Sequence, residues 1–103
     1  MHASLWSGTA ASWVDLNPAG SAYSRCYATT GTQQAGFADF GAGFRAGLWS
    51  GTAASFVDLN PAGATSSQLR GTTGTVQAGH ADFGGGYLAG IWFGTPGSWA
   101  NLH

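Results

Sequence analysis

Apolar and polar residues alternate in short runs along this chain, and Gly, Asn-Pro and Thr-Gly cut the runs at regular distances. Ser12–Leu16 is a clear case: alternation puts Trp13 and Asp15 on one face of a strand and Val14 and Leu16 on the other. Glycine every few residues and the lack of a sustained 3.6-residue apolar period argue against helix. The pattern predicts strands near residues 3–7, 12–16, 25–30, 34–40 and 44–50, with turns between them. Asn17-Pro18-Ala19-Gly20 reads as a turn for chemical reasons: Asn bonds the backbone ahead of it, Pro presets φ, and Gly ends the turn.

The pattern then comes back. LWSGTAASWVDLNPAG, Leu5 to Gly20, returns as LWSGTAASFVDLNPAG from Leu48 to Gly63, and a shorter third version, IWFGTPGSWANLH, begins at Ile91. Trp6, Trp49 and Trp92 mark the copies, 43 residues apart. Residues 2–44 and 45–87 are roughly two-thirds identical, and a period in the forties belongs to propellers, solenoids and arrays. The expected fold is all-β: four-stranded antiparallel meander repeats of 43 residues, propeller-like. By phase, residues 2–24 form an orphan half-repeat hairpin, 25–60 a first four-stranded unit, 61–67 a linker and 68–103 a second unit.

Two and a half small sheets leave strand edges and apolar faces open to water. The expectation is therefore completion by oligomerisation, with closure into a ring removing the exposed ends. A homo-oligomer of three chains, each giving two blades, is the favoured arrangement. It leaves the N-terminal hairpin over, to be exchanged with a neighbour or packed as a cap.

Composition sharpens this picture. Of 103 residues 18 are Gly, so the 14% of aromatics must supply most of the buried volume. Charged residues make up 7% of the chain, with no Lys and no Glu, and the net charge is −1. No basic field exists for phosphate, which argues against nucleic acid and against an anionic membrane surface as partners. No apolar run approaches the roughly 18 residues of a spanning helix. The single Cys26 cannot form an intrachain disulfide; its repeat partner is Leu69, which makes it a small buried hydrophobe.

His2-Ala3-Ser4-Leu5-Trp6 and Asp15-Leu16-Asn17 resemble the opening and close of the HAF family of bacterial extracellular repeats. The second copy keeps Ala46, Leu48, Trp49 and Asp58-Leu59-Asn60 with Arg45 in place of His; the third has Leu88-Ala89-Gly90-Ile91-Trp92 and Asn101 in place of the acid. The resemblance implies propeller-like β structure and an extracellular setting, and it carries no activity with it.

No nucleophile elbow, phosphate loop or metal-ligand set stands out, so the chain is read as a non-enzyme without cofactor or metal. Asp15 with Asp58, and Asp39 with Asp82, recur at equivalent places, as acids do when they fix turns by accepting backbone N–H groups. The Trp series is read first as packing. Its rival is a row of stacking platforms in a carbohydrate-binding lectin with one shallow site per repeat, using Trp6, Trp49 and Trp92 beside Asp39 and Asp82. The copies diverge most at residues 21–27 against 64–70 and at Phe37 against His80, which makes Arg25, Tyr27, Arg70 and His80 further candidate ligand contacts. The leading functional reading is a self-assembling binding or scaffold module whose partner is itself.

Overall fold

Alternating residues become two unlike sheet faces, and those faces stack. The computed structural model describes residues 2–5 and 12–102, so Trp6 and the expected turn at 8–11 lie outside the described residues. Among the described residues ten strands form three antiparallel sheets. A hairpin pairs β1 (Ser4–Leu5) with β2 (Val14–Asp15). The first meander runs β3 (Tyr23–Thr29), β4 (Gln34–Asp39), β5 (Phe44–Trp49) and β6 (Val57–Asp58). The second runs β7 (Ser66–Thr72), β8 (Gln77–Asp82), β9 (Tyr87–Trp92) and β10 (Ala100–Asn101). The first meander thus begins two residues before the expected Arg25, because Tyr23 and Ser24 pair with Asp39 and Ala38. Short 3-10 turns at Ala53–Ser55 and Pro96–Ser98 lead into β6 and β10, which the alternation pattern did not predict.

Register sorts each meander into a front and a back face, since paired residues share a side. On the first meander Cys26, Gly36 and Gly47 lie in one row at the front, with Trp49 opposite Gln34. Its back carries Ala28, Ala35, Leu48 and Val57 in one row and Phe37 opposite Ala46 in the next. The second meander repeats these pairings, with Leu69, Gly79 and Gly90 at the front and Ala78 and Ile91 at the back.

Two apolar clusters hold the stack together. Ala3, Leu5, Val14 and Leu16 of the hairpin pack on Trp49, Cys26 and Phe56 at the front of the first meander. Ala35, Ala46, Leu48 and Leu59 on its back pack on Leu69, Trp92 and Trp99 at the front of the second. Leu59, Leu69, Trp49 and Trp92 are fully buried, and such side chains contribute about 1.5–3 kcal/mol each by leaving water. The sheets stack without closing: no barrel or ring forms among the described residues.

A hydrogen-bonded latch ties each unit to the next. The Ser67 hydroxyl accepts the Ala46 N–H at 2.9 Å and donates to Asn60 Oδ1 at 2.6 Å. Asn60 is itself held in place: its own N–H donates to Asp58 Oδ1 and its Nδ2 donates to Ala64 O, which fixes the turn. Ala3, Ser24, Asn17, Asp15 and Ser21 make the same five-part arrangement at the hairpin.

Glycine is demanded where the layers come closest. A Cβ on Gly47 would sit 2.0 Å from the Phe56 ring that lies over it, and one on Gly36 would sit 1.9 Å from the backbone oxygen of Arg25. Backbone cannot swing aside as a side chain can. Gly36→Ala is therefore expected to lower the unfolding free energy by about 1–3 kcal/mol. Gly97→Ala, whose Cβ meets nothing within 4 Å, should change it by less than about 0.5 kcal/mol in the same urea titrations.

Candidate functional site

Two of the residues singled out by sequence divergence meet because of a backbone irregularity. The β3–β4 register shifts between Cys26 and Ala28, and the β7–β8 register between Leu69 and Gly71. Tyr27 and Arg70 are the extra residues of these bulges, and a bulge re-aims its side chain. The Arg70 guanidinium lies 4.3 Å from the centre of the Tyr27 ring, across the boundary between the meanders. Arg70 Nη2 also donates to Gln68 Oε1 at 3.1 Å. Arg25 joins the cluster by donating to the Tyr27 hydroxyl at 3.4 Å, with its guanidinium 5.9 Å from the Tyr23 ring. Behind them Tyr23, Phe37 and Phe44 stack, with Phe37 and Phe44 at 4.4 Å. The result is a strip of aromatic faces and guanidinium groups along the sheet boundary.

His80 occupies, on the second meander, the place that Phe37 holds on the first, and its ring lies 4.5 Å from Tyr87. Burial, and after it the charge of Arg70, pushes its pKa below the ordinary 6.5. The imidazole is thus held toward its neutral form.

The other candidates are committed elsewhere. Trp49 and Trp92 are completely buried in the two clusters, so their rings present no face to a ligand. Trp6 lies outside the described residues. Asp39 accepts the Gly41 N–H at 2.8 Å, and Asp82 accepts those of Gly84 and Gly86, which is turn chemistry. Asp15 is held below the usual carboxylate range by the Asn17 N–H first and by His2 second. Among the described residues no group of three His, Cys, Asp or Glu side chains could hold a metal ion. Cys26 packs against the hairpin cluster, and burial pushes its thiol pKa up.

One site escaped the sequence reading. Phe40, Ala42, Arg45, Phe56 and Asp58 line an open cavity of about 390 Å³ beside the front of the first meander. Phe40 and Phe56 stand 5.8 Å apart, and the Arg45 guanidinium pairs with the Asp58 carboxylate on its wall. The cavity can take a flat apolar group against the rings and hydroxyls or a charge against the ion pair. A signal for it does exist in the sequence. His2–Asp15, Arg45–Asp58 and Leu88–Asn101 are equivalent pairs, and the middle one alone joins a permanent cation to an acid.

Comparison with protein-family models, with curated proteins and with solved structures finds no match for this chain.

The electrostatics of His80 can be read by NMR. Its folded pKa is depressed, so the stability that the neutral ring contributes is whole above the unfolded value of about 6.5 and is lost as pH falls through the folded pKa. The ring resonances should titrate below 6.5, and Arg70→Gln should move the midpoint only part of the way back, because burial is the larger cause.

Proposed function

We propose that this chain is a non-enzymatic, self-assembling β-repeat module that completes a propeller-like ring with sister copies and serves as a binding or scaffold unit. One observation carries the reading. Leu16 and Leu59 are both fully buried under the unit that follows them, whereas Leu102, at the same place in the third copy, is 63% exposed. With Leu102, Tyr87 is 61% exposed, and Ala78 and Ala89 are exposed on the same back face. The same face is covered in the first meander, and burying it against another copy is favourable. Three chains, each giving two four-stranded blades, would make a six-bladed ring.

A second reading has its own support: a carbohydrate-binding module using the cavity at Phe40 and Phe56. Rings of this kind take the apolar face of a sugar, and the Arg45–Asp58 pair offers both donors and acceptors to its hydroxyls. The site is then one per chain, since the third copy has Leu88 and Asn101 where the ion pair would be.

Light scattering on a gel-filtration column separates these outcomes. The expected mass is a multiple of 10.4 kDa, three chains being favoured; a single 10.4 kDa species at all concentrations rejects assembly. For the second reading, titration with common glycans should alter tryptophan emission through Trp49, whose ring is 5.0 Å from Phe56. Arg45→Ala should abolish that change. Silence across the glycans rejects it.

A further inference from the structure

The open back face has a definite seat to fill, and in this chain that seat is already occupied. Each interface in the stack has the same form: the back of one unit lies on the front of the next, and the first strand of the next unit supplies a Ser for the latch. The back face of the second meander offers Ala89, Ile91, Ala100 and Leu102. They stand at the places of Ala46, Leu48, Val57 and Leu59 in the first meander and of Ala3, Leu5, Val14 and Leu16 in the hairpin, with Ile91 for Leu and Ala100 for Val as the two changes. What this face fits is a front face with a Ser on its first strand. The front free of a full unit is that of the first meander, with Ser24, Cys26 and Trp49, and the hairpin covers it.

We infer that the N-terminal hairpin is an exchangeable cap, and that assembly, as proposed above, proceeds by a second copy's β7–β10 back face displacing it from the front of β3–β6. The inference rests on that assembly reading. Three observations carry it. The incoming face has apolar residues at the hairpin's four positions, two of them identical, and adds β7 and β8, with Ala78 and His80, which the half-unit lacks. One polar contact of the hairpin is poor: Trp92 Nε1 donates to Leu59 O at 2.8 Å, whereas the equivalent Trp49 Nε1, under the hairpin, is buried with no partner among the described residues. Against this, the hairpin's Asn17 accepts from Ser24, and the incoming copy has His103 at that place in the sequence. Finally, the bulge residues match. Arg70 already covers one Tyr27 ring, and the same step along the stack sets Tyr27 of a second copy against its other side, so that guanidinium and phenol alternate around the ring.

Hydrogen exchange on the full-length protein, read by mass spectrometry beside light scattering, tests this. In the assembled fraction, amides of residues 2–5 and 12–17 should exchange at least about tenfold faster than in the monomer, and those of 87–102 at least about tenfold slower. Leu102→Asp, at an exposed position that the monomer tolerates, should reduce the mass to 10.4 kDa and restore protection to the hairpin. If the wild type is itself monomeric, the assembly reading and this inference fall together. If it assembles with residues 2–5 and 12–17 still protected, or if Leu102→Asp assembles unchanged, assembly stands and the exchange mechanism is overturned.

Discussion

A serine hydroxyl held between an alanine N–H and an asparagine Oδ1 is the contact on which this structure depends. Apolar burial alone would let small, glycine-rich sheets slide over one another, because the hydrophobic effect has no direction. The hydroxyl adds direction: Ser67 meets Ala46 and Asn60 at fixed distances, and Asn60 is itself held by Asp58 and Ala64. A neutral hydrogen bond is worth only about 0.5–1.5 kcal/mol net, but a buried one left unmade costs more than that. The latch therefore penalises misplacement more than it rewards contact. Because Leu59 stands between Asp58 and Asn60, the tripeptide that fixes the turn also sends a fully buried side chain into the next unit.

The small residues serve the same end. Gly47 and Gly90 leave room for the Phe56 and Trp99 rings to lie flat on the strands, and Ala35, Ala46 and Ala81 keep the layers near. Large rings set on a floor of glycine give the burial that a chain with few Leu and Ile could not otherwise reach. This is how Trp49, Trp92 and Phe37, with Phe56 and Trp99 beside them, supply burial in a chain in which 18 residues are Gly.

Much of this was legible in the sequence, for identifiable reasons. Strands β3, β4 and β5 follow from alternation between glycine turns, and the Asn17 turn from the chemistry of Asn-Pro-Ala-Gly, with Gly20 at φ 85°. The four aspartates hold backbone N–H groups, as their repetition suggested. What escaped depends on tertiary geometry. Tyr23 and Ser24 look like loop until Ala38 and Asp39 are there to pair with them. The bulges that bring Tyr27 and Arg70 together insert one residue without any glycine or proline to announce it in β3. The Phe40–Arg45 cavity joins a turn to a strand two elements apart, a neighbourhood no local pattern encodes.

The unlike faces of these sheets have a further consequence. A front presents a serine and a ring over glycine; a back presents alanine and leucine, and only a front against a back makes the serine contact. Such a stack has polarity, as a screw has: each back lies on the front that follows it. Were another sheet added in the same sense, the rotation from one sheet to the next would alone decide between a circle and a fibre.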